Sequence, residues 1–568
     1  MRLTTSQTRD LRNVARALAV AGWLAFVAAS AGPDLFGSSQ ESDPEYTARY
    51  VFAAIAAAFI LVSWLSPGFG GTLLVLAGVI LGIAVATEYT QLTAMAVALL
   101  LVVPGVLFLI SWAGRQHSAR QLLVATAVAA VIAFGVAVAR ETHHQAFGAS
   151  HPQSSLEVQP FDDVEWVWSG AVTSTGFTVS ARIDGEAGAA RLVVSTSRSL
   201  MSPIYTRTVE VDKAPGKVVS LRVDDLSPGT RYYYAVEVDG ELDTQRRGSA
   251  STFPAAGTTF SVLVGSCGRT GSNGLVYEAM RDQDALLYII TGDFHYEDIT
   301  SNDVGRFRDA YTTAITSPAQ QALYSETPIA YVWDDHDFGG GNSDGLTPAR
   351  EAARIAYREN VPHYPLAAGD GDEPIYTAFD IGDVHFVMTD SRSMRKSEDY
   401  PGGGNSMLGA EQRQWLKQEL LRGSRDYRLV VFVSAVPWIA PADASRDDWG
   451  GYAGERAELA NFIADNGINN LMMLAGDAHM LAIDDGTNTD YSDSRKAAFP
   501  LLHAAALDRP GSEKGGPYSE GAYPGAGQYG LVTFRYEGGS LTVEMTGLDW
   551  KGETIVAYTF EAPLRRDQ

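Results

Sequence analysis

Apolar and polar positions divide the chain into three textures. Apolar runs at 14–31, 51–65, 72–86, 92–112 and 121–139 dominate the first 145 residues. From 156 to 252 the pattern alternates: Phe177, Val179, Ala181 and Ile183 point one way, Thr178, Ser180 and Arg182 the other. Turn clusters such as Asp184-Gly185, Ala214-Pro215-Gly216 and Ser227-Pro228-Gly229 punctuate that alternation, which predicts a small β-sandwich over 152–255. From Phe260 onward, short apolar strands alternate with helical patterns, which predicts an α/β domain over 258–568. Its strands are expected at 260–264, 287–293, 329–333, 385–389, 429–433 and 471–474. Its helices are expected at 274–281, 348–360, 409–421 and 455–466. Two antiparallel strands, 529–536 and 541–548, close the domain, and the glycine-rich stretch 503–530 reads as loop.

The apolar runs of residues 1–145 approach the roughly 20 residues that a spanning helix needs, and the shorter ones span if tilted. A transmembrane region of four or five helices is therefore expected, with the membrane lipid bilayer as partner. Arg2, Arg9, Arg12 and Arg16 precede the first run, the loop 34–45 is acidic, and Arg115 and Arg120 lie in the loop 114–120. The positive-inside rule then puts the N-terminus in the cytoplasm and everything after Arg140 in the periplasmic or extracellular space, as a multi-pass cell-membrane protein. Ala29-Ser30-Ala31 offers a signal-peptidase site, and cleavage there would leave four spans in the same orientation. No Asp, Lys or Arg sits mid-span, so anchoring rather than transport is expected. His143 and His144 read as interfacial loop residues.

Charge sharpens the division. The chain of 568 residues has a net charge of −24, and the part after residue 150, with 35 basic and 60 acidic residues, carries −25. Such an acidic body repels phosphate backbones, so no nucleic-acid partner is expected. Cys267 is the single cysteine, so it has no intramolecular disulfide partner.

Candidate chemistry lies at five successive strand ends: Cys267, Asp293 with Tyr296, Asp335 with His336, Asp390 with Arg392, and Asp477 with His479. Carboxyl ends of strands form the active crevice of open α/β sheets. A carboxylate and a phenol three residues apart, as in Asp293 and Tyr296, suit a hard, highly charged ion.

Gly-Ser-Cys, Gly-Asp-x-x-Tyr-Glu, Trp-Asp-Asp-His-Asp, Asp-x-Arg, Leu-Gly-x-Glu-Gln-x-x-Trp-Leu and Gly-Asp-x-His occur in that order. Together they resemble the alkaline phosphatase D (PhoD-like) branch of the metallophosphoesterases. The segment from Leu226 to Tyr234 resembles the tyrosine corner of fibronectin- or Ig-like sandwiches. The resemblance implies a metallophosphoesterase-type α/β/β/α sandwich and a phosphoric ester hydrolase acting on phosphodiesters, phosphomonoesters or both. It implies an iron(III) site and a calcium site, Fe(3+) and Ca(2+), bridged by one aspartate. Thiolate, phenolate and imidazole assign Cys267, Tyr296 and His479 to iron; Asp293 is the bridge; Asp335 and Asp477 go to calcium. Spacing leaves Asp334 and Asp335 both open as ligand. Asp335 is preferred because it directly precedes His336, with Asp334 then supporting from behind. Ser434 and Val436 stand where the wider superfamily carries a ligand histidine.

In this reading Arg392 grips phosphate oxygens, and His336 protonates the leaving alkoxide or stabilises charge on it. Open glycine loops at 339–342 and 402–405 leave room for a second ester substituent, so diesters are expected to be hydrolysed at least as well as monoesters. A catalytically inactive binding, adhesion or phosphate-sensing protein on the same fold is the alternative, and the complete ligand set argues against it.

Overall fold

The computed structural model describes residues 5–31, 44–88, 91–113, 152–397 and 404–563. The chain forms two compact units, Met1–Ala146 and Phe147–Gln568.

The first unit contains helices α1 (Thr5–Ala31), α2 (Pro44–Leu65), α3 (Pro67–Glu88) and α4 (Gln91–Ala113). They pack through small residues. A Cβ on Gly71 would lie 2.8 Å from the Gly105 carbonyl oxygen, and one on Gly22 would lie 2.7 Å from that of Leu100. Ala15, Ala19, Ala56, Ile60, Leu74, Ala77, Leu101 and Phe108 form the core of this unit.

Among the described residues, no helix is long and apolar enough to cross a membrane. This corrects the expected transmembrane region, the multi-pass placement with its cytoplasmic N-terminus and outward catalytic domain, and the bilayer as partner. The physical reasons are two. The first half of α1 carries Arg9, Asp10, Arg12 and Arg16. In the other helices, Ala56, Ile60, Leu74, Ala77, Leu101 and Phe108 are buried against one another, and a hydropathy run does not separate a helix packed on its neighbours from one that faces lipid. The run 121–139, the loop 114–120, most of the acidic loop 34–45, and His143 and His144 lie outside the described residues.

The second unit begins with a sandwich. Strands β1 (Val164–Gly170), β2 (Phe177–Ile183) and β6 (Val218–Val223) pair antiparallel, as do β3 (Ala189–Ser195) and β7 (Arg231–Val238) with the short strands β4 (Ile204–Tyr205), β5 (Val209–Glu210), β8 (Glu241–Leu242) and β9 (Gly248–Ser251) around them. Val167, Val179 and Leu221 of one sheet share a buried cluster with Leu192, Val194 and Val236 of the other. The Ser227 backbone N–H donates to the Tyr232 hydroxyl at 3.0 Å, closing the corner between β6 and β7.

Two larger sheets follow. β10 (Phe260–Gly265), β11 (Leu287–Thr291) and β12 (Ile329–Val332) are parallel and buried; β20 (Gln528–Glu537), β21 (Ser540–Asp549) and β22 (Thr554–Glu561) extend that sheet antiparallel. β1 joins its other edge in parallel with β12, at Gly170 opposite Ile329, so the sandwich and this sheet are continuous. A Cβ on Gly170 would stand 2.5 Å from the Pro362 carbonyl oxygen, so only glycine permits the join.

The second sheet runs β13 (Thr377–Ile381), β14 (Val384–Met388), β15 (Leu429–Ser434), β16 (Leu471–Ala475), β18 (Leu501–Ala504), β17 (Met480–Asp484), β19 (Ala522–Pro524), with β14, β15, β16 and β18 parallel. Alternation along its strands decides the layers. Phe386, Val431, Val433 and Leu474 share a core with Val262, Val264 and Ile289 of the first sheet. Val387, Val430, Phe432 and Met473 instead pack with Leu416, Leu420, Leu459 and Ile463 from the helices Gly409–Asp426 and Ala453–Asp465. The two sheets therefore lie face to face with helices outside, a mixed α/β fold with large sheets. The parallel strands bring their carboxyl ends to one edge.

Candidate metal centre

Three side chains at that edge sit on left-handed backbone: Cys267 (φ 61), Asp293 (φ 52) and Asp477 (φ 74). Non-glycine residues rarely adopt this region, and such strain clusters at functional sites. Glycines allow the tight turns. A Cβ on Gly292 would meet the Asp334 Cβ at 2.5 Å, and one on Gly476 the Thr291 carbonyl oxygen at 2.3 Å.

The turns converge. Cys267 Sγ lies 3.4 Å from Asp293 Oδ2. The Tyr296 hydroxyl lies 2.7 Å from the same Oδ2 and 3.2 Å from His479 Nε2. His479 Nδ1 donates to the Pro510 carbonyl oxygen at 2.9 Å, which leaves the Nε2 lone pair facing the group. Ligand atoms of Cys267, Asp293 and His479 all lie within 4.8 Å of one another. So do those of Asp293, Asp335 and His336. Asp293 belongs to both groups.

Around the second group, Asp335 Oδ1 accepts from the His336 backbone N–H at 2.9 Å and Oδ2 from that of Asn342 at 2.5 Å. His336 Nδ1 meets Asp298 Oδ1 at 2.5 Å, and its ring lies against that of Tyr296 with centroids 4.1 Å apart.

Arg392 does not open toward solvent. Its Nε holds Asp334 Oδ1 at 2.5 Å, and its two terminal nitrogens hold Asp447 at 3.0 and 2.6 Å, with both Asp334 and Arg392 wholly buried. Asp390 is also consumed: it accepts from Trp333 Nε1 at 2.9 Å and from the backbone of Ile375, Arg392 and Ser393. Asp477 lies outside both groups, and its Oδ1 holds Lys514 Nζ at 2.9 Å.

Electrostatics follow from burial and crowding. Burial, then the Asp335 charge, pushes the Asp293 carboxyl up to about 8. Burial and Asp293 push the Cys267 thiol well above its ordinary value. Burial alone would raise Asp335, but Arg392, His336 and the Asn342 backbone outweigh it and hold it low. His336 is shifted well upward: Asp298, Asp335 and Asp293 overcome its burial. His479 is shifted well downward by burial, Arg509 and Lys514, so it stays a neutral nitrogen donor.

This donor set fits metal ions. Asp293 Oδ1 and Asp477 Oδ2 are buried acceptors with no hydrogen-bond partner. Each such atom costs about 1–3 kcal/mol, a cost that a bound cation removes. A cation would also invert the raised thiol and carboxyl values.

Residues 262–521 match the family model described as PhoD-like phosphatase. Residues 4–120 match a domain of unknown function (DUF7670). The chain is 24% identical over 311 residues to alkaline phosphatase D of Bacillus subtilis (strain 168), covering 46% of this chain and 53% of that protein. It is 23% identical over 264 residues to purple acid phosphatase 23 of Arabidopsis thaliana, covering 42% of this chain and 51% of the relative. The chain thus spans about half the length of these curated relatives. The solved structure of PhoD shares this chain's fold, with TM-score 0.59, 18% identity, and coverage of 70% of this chain and 90% of that one. These likenesses support the expectation of a phosphoric ester hydrolase, and the relatives imply dependence on metal.

The sequence reading did not single out Lys514, Asp447, Asp298 or Arg509, whose guanidinium lies 4.1 Å above the Tyr296 ring. Asp298 closes the stretch that carries Asp293 and Tyr296, so its proximity was the one available signal. Asp447 lies 55 residues from Arg392, and only the fold brings them together.

Proposed function

We propose that this chain hydrolyses phosphate esters at a two-metal centre bridged by Asp293. The observation that carries the reading is that Asp293 is common to both donor groups. Cys267, Tyr296 and His479 would hold iron(III), since soft and phenolic donors gather on that side. Asp335 and Asp477 would hold calcium with the shared carboxylate, an all-oxygen set. When bound, the two ions supply charge neutralisation at the phosphoryl group and acidify a water.

The chain's own residues do the rest. His336 carries a proton, because three carboxylates hold its pKa up, and it delivers that proton to the leaving oxygen. Asp298 orients its ring through Nδ1. The Pro510 carbonyl fixes the His479 tautomer. Arg392 braces Asp334 behind Asp335. An occupied Arg392 leaves less positive charge for a dianionic monoester, which supports the expectation that diesters are hydrolysed at least as well.

The test uses the full chain loaded with iron and calcium, comparing p-nitrophenyl phosphate with bis(p-nitrophenyl) phosphate. The reading predicts hydrolysis of both. Monoester preference above about tenfold in kcat/KM, some 1.4 kcal/mol, would refute the diester preference. Absence of hydrolysis by the metal-loaded chain would favour the inactive binding or sensing protein.

A further inference from the structure

With Arg392 enclosed by the carboxylates of Asp334 and Asp447, its guanidinium is not placed to meet phosphoryl oxygens at the site. Lys514 stands at its rim. Its side chain is 41% exposed, while the partner Asp477 is buried. The loop that presents it is fastened to the strand ends at three points. His479 Nδ1 donates to the Pro510 carbonyl oxygen at 2.9 Å. The Ser512 N–H donates to that of His479 at 3.0 Å, and the Gly516 N–H to that of Ile439 at 2.9 Å. The ammonium therefore has a fixed base and a flexible four-carbon stem. Its charge bears on Asp335 and on His479, one member of each donor group. Its bond is to a single Asp477 oxygen at 2.9 Å, which a phosphate oxygen can replace.

We infer that Lys514, rather than Arg392, is the side chain that binds a non-bridging oxygen of the phosphoryl group. The inference rests on the phosphoesterase reading above. It makes Lys514 a substrate-binding residue that also holds the product, inorganic phosphate.

The experiment compares wild type, Lys514→Met and Lys514→Arg as full-length, metal-loaded proteins. Metal content, thermal midpoint, KM and kcat for bis(p-nitrophenyl) phosphate, and inhibition by inorganic phosphate are measured for each. Lys514→Met should keep its metals and raise both KM and the phosphate inhibition constant tenfold or more. Lys514→Arg should recover most of that loss. KM and inhibition within twofold of wild type in Lys514→Met would overturn the inference and leave the phosphoesterase reading standing. Loss of metal from Lys514→Met would also overturn it, since Lys514 would then serve Asp477 rather than substrate. A wild-type protein that binds metal yet cleaves no phosphate ester would remove the reading beneath and the inference with it.

Discussion

Arg392 and Asp334 form a wholly buried ion pair, Nε to Oδ1 at 2.5 Å, behind the candidate ligand Asp335. Removing one partner of such a pair leaves an uncompensated buried charge, at a cost of about 3–5 kcal/mol. Arg392→Met should therefore lower the thermal midpoint strongly as well as reduce turnover. A variant with an unchanged midpoint and only a raised KM would return Arg392 to the phosphate-gripping role expected from the sequence.

His336→Ala should keep both metals and lower kcat by roughly 10²–10⁴-fold, the loss of a general acid. Asp298→Asn should lose less, because the ring remains and only its orientation and charge change. Elemental analysis separates the roles: metal loss from His336→Ala would make His336 a ligand, as its place in the second group permits.

Metal affinity should depend on pH with a defined sign. The Asp293 carboxyl is held up to about 8 before metal binds, so below that pH an incoming ion competes with a proton. Apparent affinity of the stripped protein should rise by ~tenfold per pH unit for this one proton as pH climbs toward 8, with the raised Cys267 thiol adding a second. Titration between pH 6 and 8 with no proton release would contradict this.

A separate clamp should tune stability. His385 Nδ1 meets Asp380 at 2.6 Å and Nε2 meets Glu419 at 3.0 Å, so both bonds need the protonated ring. Burial opposes that charge, but the two carboxylates raise the His385 pKa. Those of Asp380 and Glu419 are lowered. The histidine's contribution is complete below its ordinary 6.5 and is lost as pH rises through the raised value. The carboxylates' contribution is complete above 3.8 and 4.5 and is lost as pH falls through the lowered values. The stability gap between wild type and His385→Asn should peak in the window between, at about 1–3 kcal/mol, and shrink toward alkaline pH. A gap independent of pH would show that packing, not charge, is what His385 supplies.

Much of the α/β body was legible because buried parallel strands leave continuous apolar runs, as at Leu287–Thr291 and Leu429–Ser434. β13 and β17 were missed. β13 alternates at a sheet edge, and β17 follows directly on the Gly-Asp-x-His turn, so neither stands out as a separate run. The stretch 503–530 read as loop because glycine and proline dominate it, yet it contains β19 and the start of β20. Ligand candidates were legible because each follows a strand end. Arg392 was not, since the Asp-x-Arg spacing says nothing of Asp447. The N-terminal runs misled for another reason: apolarity alone does not say what a side chain meets, and Leu61, Leu65, Phe69 and Ile80 are exposed while Leu74 and Phe108 are buried.

Elemental analysis of the purified full-length chain and of Asp293→Asn, run alongside phosphoester hydrolysis, tests the shared carboxylate most directly. The account predicts iron and calcium together in the wild type, depletion of both in the variant, and hydrolysis that chelation abolishes and the two metals restore. Loss of only one metal from Asp293→Asn, or hydrolysis undiminished after chelation, would contradict it.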